Sequence, residues 1–247
     1  MSCRAAPRPG AARPSVFGAV SASDVWVLIP AYNEATTIGA VVGGVAGLGC
    51  PIVVVDDGSR DGTAQALDPA PVHLLRHPIN LGQGAALKTA FRYALGRGAR
   101  YLVTFDADGQ HRPEDIPRLV DPLAQGRADV ALGTRFGREA SAPNMPAGRR
   151  LALKLAVALT DRTLGLPLTD AHNGLRALTA SAAAALRLTQ PRMAHASQIL
   201  AEIKRLRLRW VEVPVSVRYT PYSLAKGQGT SQALNIVWEL LLEVLRR

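Results

Sequence analysis

Short unbroken apolar runs alternate with stretches of helical spacing through the first half of the chain. Val25–Pro30 (VWVLIP) is continuous and apolar, the pattern of a strand covered on both faces. Ile52–Asp56 is β-branched and ends in carboxylates, Val72–Arg76 is a weaker third run, and Tyr101–Phe105 again ends at carboxylates. Asp129–Leu132 reads as a fifth strand. Between them, Asn33, Thr36 and Thr37 open a helix carried by Ile38, Val41, Val42 and Val45. A short helix is predicted from about Asp61. Gly84–Leu95 places Ala85, Leu87, Ala90, Phe91 and Ala94 inward, and Pro113 opens a further helix. Such alternation predicts an α/β fold, a mostly parallel Rossmann-like sheet with helices on both faces.

The second half has a different pattern. Residues 134–150 read as a basic loop with Arg135, Arg138, Arg149 and Arg150. Helices are predicted over Leu151–Leu164, Ser181–Leu188 and Ala194–Leu208, while Asp170–Leu178 is polar and then apolar. Trp210–Tyr219 alternates strictly, as a half-buried strand does. A Gly- and Ser-containing loop over 220–230 holds Lys226, and Ala233–Leu245 is an apolar helix followed by Arg246 and Arg247. The expected organisation is a disordered basic tail over 1–23, one body over 24–230, and a C-terminal apolar helix over 231–247. That helix is too short to span a bilayer. It packs on the core, pairs two copies as a homodimer, or lies on a membrane surface.

Composition narrows the choices. A chain of 247 residues, 48% hydrophobic and 19% charged, is globular and fits one domain with a small appendage. No apolar run reaches the ~18–20 residues of a membrane span. Cys3 and Cys50 cannot build a disulfide framework or a zinc site, which points to a reducing, cytoplasmic setting. The net charge of +10 is uneven: +3 over 1–23, −2 over 24–120 and +9 over 121–247. An acidic front half suits a metal cation, and a basic back half suits phosphates or an anionic membrane face. Nucleic acid fits poorly, because aromatic residues are only 5% and no recognition motif is present.

In a parallel α/β sheet, ligands gather at the carboxyl ends of the strands. Three polar clusters fall there: Tyr32-Asn33-Glu34, Asp56-Asp57 and Asp106–Gln110. Asp106 and Asp108, one residue apart, suit a hard divalent cation such as Mg²⁺ or Mn²⁺, with Gln110 as a neutral oxygen ligand. An ordinary Asp-Gly turn accounts for the same residues. Haloacid-dehalogenase-type phosphatases also use a DxD pair, but after the first strand rather than the fourth. Asp56-Asp57-Gly58-Ser59 could accept hydrogen bonds from a nucleobase or ribose, or simply cap a helix. Gly82-Gln83-Gly84 with Lys88 could approach a phosphate, without the spacing of a dinucleotide fingerprint or P-loop.

Together the segments IPAYNE (29–34), VDDGS (55–59), NLGQGAALK (80–88) and FDADGQ (105–110) resemble, in this order, the family 2 glycosyltransferases of GT-A fold. The likeness runs from about residue 25 to 220. It is greatest to the dolichol- and polyprenyl-phosphate sugar transferases, whose D-x-x-x-G-[FL]-R and Gly-Ser-Arg segments correspond to Asp170–Arg176 and Gly133-Thr134-Arg135. The resemblance implies an inverting, metal-assisted transfer of a hexose from a UDP- or GDP-sugar. It places Pro30, Ala31, Tyr32, Glu34 and Asp57 at the nucleoside and Lys88 at the nucleotide. It places Asp106 near ribose and diphosphate, and Asp106, Asp108 and Gln110 at the metal. A polyprenyl phosphate acceptor is already anionic and calls for cations, for which Arg135, Arg176 and Lys226 are the candidates, with Asp170 beside them and Arg218 behind. The segments 191–198 and 219–228 depart from the group's R-x-x-G-x-S-K ending; Ser223 and Lys226 could serve with altered spacing. An acceptor hydroxyl would instead need a base, for which Asp170 or His195 is available. A basic membrane- or nucleic-acid-binding protein with an inactive core is the non-enzymatic alternative.

Overall fold

The computed structural model describes residues 16–136, 147–171, 173–188 and 195–218. Seven strands form one sheet: β1 Val25–Ala31, β2 Ile52–Asp56, β3 His73–Arg76, β4 Tyr101–Thr104, β5 Val130–Thr134, β6 Arg176–Thr179 and β7 Trp210–Pro214. The helices are α1 Ile38–Ala46, α2 Gln83–Gly96, α3 Ile116–Ala124, α4 Ala147–Leu164, α5 Ala180–Ala185 and α6 His195–Arg205. The strand order is β3-β2-β1-β4-β6-β5-β7. All pairs are parallel except the two made by β6, which runs against both β4 and β5.

The period-two alternation of β1 sorts its side chains into two layers. Val25, Val27 and Ile29 pack with α1 (Ile38, Val41, Val42, Val45) and α3 (Ile116, Leu119, Val120, Leu123). Trp26 and Leu28 pack with α2 (Ala86, Ala90, Phe91), with Ala182 of α5 and with Ile199, Leu200 and Ile203 of α6. Every residue of β1, β2, β4 and β5 is buried. This is why they read as apolar runs rather than as alternating strands.

Four local expectations change. Residues 16–23 belong to the packed body, because Phe17 is buried in the α1–α3 layer and Val20 and Ala22 lie against it. The helix expected from Asp61 is a turn followed by the single 3-10 turn Gln65–Leu67. The alternating run 210–219 ends as a strand at Pro214; beyond it Val215 still donates to Thr134 O, and Val217 bridges His111. β6 carries no strand-like apolar run, since it is four residues long and begins with an arginine. Its antiparallel direction places its start, and the 170–175 segment before it, at the carboxyl edge of the sheet. The expected 1–23 tail up to residue 15, part of the 134–150 loop, Ser223, Lys226 and the 233–245 helix lie outside the described residues.

Candidate active site

At the end of β1 the chain turns through Asn33, whose φ of 53° is left-handed. The turn is bonded to the segment after β2. Asn33 N donates to Ser59 Oγ, Glu34 N to Thr63 Oγ1 and Ala35 N to Asp61 Oδ2, while Asn33 Oδ1 accepts from Arg60 N. Pro30, Ala31 and Glu34 are buried and Tyr32 is exposed, so a ring stands at the rim over a fixed backbone.

Asp56 accepts from Ser59 N and from Arg76 Nε. Asp57 is turned to the other side. Its Oδ1 accepts from Leu81 N (3.0 Å) and from His77 Nδ1 (2.6 Å), and its Oδ2 from Gly82 N (2.7 Å). A carboxylate only accepts, so His77 Nδ1 carries the proton, and Nε2 sits 2.9 Å from Thr89 Oγ1 on α2. Asp57 is thereby the anchor of the 77–82 loop that leads into α2. Gly58 makes this approach possible: its φ is +74° and a Cβ would lie 2.5 Å from the carbonyl carbon of Ile79. Lys88 is exposed on α2.

The DxD segment follows β4. Asp106 Oδ1 accepts from Gln83 Nε2 (3.1 Å), at the first residue of α2, and Oδ2 from His111 Nε2 (3.1 Å). The His111 ring packs edge-on against Phe105. Asp108 Oδ1 accepts from Gln110 N. Burial, and next the charge of Asp106, push the Asp108 carboxyl up to about 6. Among the described residues no three His, Cys, Asp or Glu side chains gather to hold a metal ion. The protein therefore offers a pair of mutually repelling carboxylates, a donor set that suits a hard cation sharing its other ligands with phosphate oxygens.

Arg176 lies in register with Thr104 on one side and Leu132 on the other. Its guanidinium is wholly buried and donates to the carbonyls of Asn173 (3.0 Å) and Ala171 (3.4 Å). Burial lowers its pKa to about 10, opposed by the charges of Asp106 and Asp170, so it stays cationic at neutral pH between those two carboxylates. Arg135, just past β5, donates to Asp170 from Nε (2.6 Å), from Nη2 (2.7 Å) and from its backbone N–H (3.0 Å), with both side chains almost fully buried. Glu212 of β7 holds this turn by accepting from Thr169 N and Asp170 N.

The segments 30–34, 56–59, 106–111, 135 and 170–176 therefore lie along one sheet edge, and Lys88 stands exposed on α2. The second Gly-rich segment meets the DxD pair through Gln83, and the 170–176 segment meets it through Arg176 and Gly174. His172 and the side chain of His195 lie outside the described residues. Three residues with no role assigned from sequence join the site. His77 and His111 orient the two key aspartates, and Asn173 lies behind Gly133. Three buried side-chain atoms among the described residues lack hydrogen-bond partners: Gln110 Nε2, His111 Nδ1 and Asn173 Nδ2, all on the segments flanking Asp106 and Arg176. His111 directly follows the DxD cluster, which was the one available signal.

Known proteins resemble this chain in sequence and fold. The description Glycosyl transferase family 2 fits residues 26–187. The chain belongs to that family. This glycosyltransferase is 31% identical over 238 residues to the UDP-N-acetylglucosamine–dolichyl-phosphate N-acetylglucosaminyltransferase of Methanococcus voltae, covering 88% of this chain and 95% of that one. It is 34% identical over 233 residues to the undecaprenyl-phosphate mannosyltransferase of Micrococcus luteus, covering 90% and 93%. The fold matches that of glucosyl-3-phosphoglycerate synthase from Mycobacterium tuberculosis, solved with Mn²⁺ and UDP-glucose, with a TM-score of 0.73 at 19% identity over 97% of this chain and 84% of that one. The expected GT-A architecture is the one observed. Among the described residues no helix is long and apolar enough to cross a membrane.

Proposed function

We propose that this glycosyltransferase moves a hexose from a nucleoside diphosphate sugar to a polyprenyl phosphate, with inversion at the anomeric carbon. The observation that carries the acceptor class is the Arg135–Asp170 pair. Asp170 is the one carboxylate of the acceptor-side segment, and both its oxygens accept from Arg135. A carboxylate so engaged is a poor general base for a hydroxyl, whereas an acceptor phosphate needs no base and is drawn to cations. The named relatives, whose names specify dolichyl and undecaprenyl phosphate, support the same reading.

On this reading Pro30, Ala31, Tyr32 and Glu34 line the nucleoside pocket. Asp57 acts there through the 80–82 backbone that it holds, and Lys88 approaches the nucleotide. Asp106, Asp108 and Gln110 would hold Mg²⁺ or Mn²⁺, which when bound supplies Lewis-acid neutralisation of the departing diphosphate. Gln83 and His111 keep the Asp106 carboxylate aimed. Arg135 is assigned to the acceptor phosphate, its guanidinium plane fixed by Asp170. Arg176 supports from behind, as the buried counter-charge shared by Asp106 and Asp170. Lys226 remains a proposed acceptor contact from sequence.

The test is release of nucleoside diphosphate from a panel of nucleotide sugars by purified protein in Mn²⁺ or Mg²⁺, with and without polyprenyl phosphate. Release that requires the lipid phosphate is expected. Turnover only with water or with a sugar hydroxyl would overturn the acceptor assignment.

A further inference from the structure

Beyond Pro214 the chain continues as a strap over 215–218. Val215 and Val217 are buried in the α1–α3 layer, so the backbone that carries them needs acceptors for its N–H groups. These come from two sides. Val215 N donates to Thr134 O (2.9 Å), one residue before Arg135. Ser216 N donates to Asp115 Oδ2 (2.8 Å). Val217 pairs with His111 in an antiparallel bridge, and Arg218 N donates to Gln110 O (2.9 Å). Both backbone groups of Gln110 are thereby held, because its N–H donates to Asp108 Oδ1 (3.0 Å).

Asp115 stands at the start of α3, the place from which an aspartate usually caps its own helix. It makes no such bond. Its carboxylate is buried and instead reaches a segment 101 residues away in the chain, with Arg118 Nη1 3.7 Å from the other oxygen. A charged acceptor holds a backbone N–H more strongly than a carbonyl does, and this one grips the strap between its contact with β5 and its contacts with the DxD loop.

We propose that Asp115 is a positioning residue of the DxD loop. By holding Ser216 it keeps the 215–218 strap on Gln110 and His111, and through the Gln110 backbone it fixes the Asp108 carboxylate. The metal role of Asp108 and Gln110 rests on the proposed function; the strap itself does not.

The test compares Asp115→Ala, Asp115→Asn and Ser216→Pro in the full chain. Asn keeps an oxygen for the Ser216 N–H. Ser216→Pro removes the same bond from the donor side and leaves the carboxylate, so the outcome does not hang on the folding of Asp115→Ala. Two quantities are read: the Mn²⁺ concentration that gives half-maximal release of nucleoside diphosphate, and backbone hydrogen exchange over 105–111 and 213–218 by mass spectrometry. Asp115→Ala and Ser216→Pro should raise the Mn²⁺ requirement about tenfold, the scale of one hydrogen bond to a charged group. Both should speed exchange in the two segments alike, and Asp115→Asn should restore both readouts to near wild type. Faster exchange confined to 213–218, or an unchanged Mn²⁺ requirement, overturns the proposal, since Asp115 would then hold the strap without acting on the loop. A lower melting temperature with neither readout moved overturns it too, as does an Asn variant as impaired as the Ala variant. A wild type that releases nucleoside diphosphate from no donor would count against the proposed function instead, and exchange over 105–111 would then decide the role of Asp115.

Discussion

A methyl group on Gly174 would stand inside the carboxylate of Asp106. Asp106 follows β4 and Gly174 precedes β6, strands that run in opposite directions, and the close approach follows from β6 being inserted between β4 and β5. Thr104, two residues before Asp106, donates from its hydroxyl to the Gly174 carbonyl (2.6 Å) and pins the contact. Gly174→Ala should therefore turn Asp106 away from Gln83 and His111 without disturbing the core. The expected result is a fall of about 100-fold in kcat/KM, the scale of an ångström-sized misplacement of a reacting group, with a melting temperature close to wild type. A variant of wild-type activity would show that the Asp106 orientation seen here is not the working one.

Arg135 and Asp170 form a buried ion pair, and such pairs behave asymmetrically when broken. Removing one partner strands the other charge. Asp170→Asn should destabilise the protein by about 3–5 kcal/mol, while replacing both residues by Met and Leu should cost much less than the sum of the singles. Urea unfolding of the four proteins in a double-mutant cycle measures this. The same Asp170→Asn variant tests the alternative base role. Any remaining activity of the folded fraction should keep the wild-type pH profile. A lost acidic limb would make Asp170 a general base and reopen a hydroxyl acceptor.

The sheet, the strand-end clusters and the DxD pair were legible because each depends on local pattern: a buried strand must be apolar, and its end must turn. β6 was not, because its place is set by pairing with partners 74 and 46 residues away, Val103↔Ala177 on one side and Ala131↔Ala177 on the other, rather than by its own four residues. Arg176 was legible as a cation of the site, but its burial was hidden for the same reason. An arginine in sequence reads as a solvated cation, and only the insertion of β6 into the sheet interior makes it a buried counter-charge. Asp57 was legible as a site residue, but not its partners, since His77 and Gly82 reach it through a loop that no period describes.

Asp57 and His77 give a prediction that separates anchoring from direct contact with the donor. Asp57→Ala removes three acceptor contacts and releases the N–H groups of Leu81 and Gly82. His77→Ala removes one donor to Asp57 and leaves those N–H bonds in place. If Asp57 works through the loop, both variants should raise the donor KM, Asp57→Ala by about tenfold or more and His77→Ala by a few-fold, the scale of one or two hydrogen bonds. Steady-state kinetics with varied nucleotide sugar decide it. A His77→Ala enzyme with unchanged donor KM would mean that Asp57 acts on the donor by itself.

Asp108 supplies a stability prediction whose sign differs from that of most site residues. Its carboxyl is raised from 3.8 to about 6 in the fold, by burial first and the Asp106 charge second. Below about pH 4 it is protonated in both folded and unfolded chains and contributes nothing. Between those values the folded protein holds a proton that the unfolded chain has lost, so stability falls as pH rises. Above about 6 the full penalty of the charged form persists, at most about 3 kcal/mol for the pair. Asp108→Asn in EDTA should therefore unfold at a higher temperature than wild type at pH 7.5, and the gain should shrink toward zero as the pH approaches 4. Added Mn²⁺ should reverse the order by raising the wild-type midpoint and leaving the variant where it was, because binding to the folded state alone stabilises it. Thermal unfolding at both pH values, with EDTA and with Mn²⁺, checks each sign, and an Asn variant less stable than wild type at pH 7.5 in EDTA would sink the assignment of a strained carboxylate pair awaiting a cation.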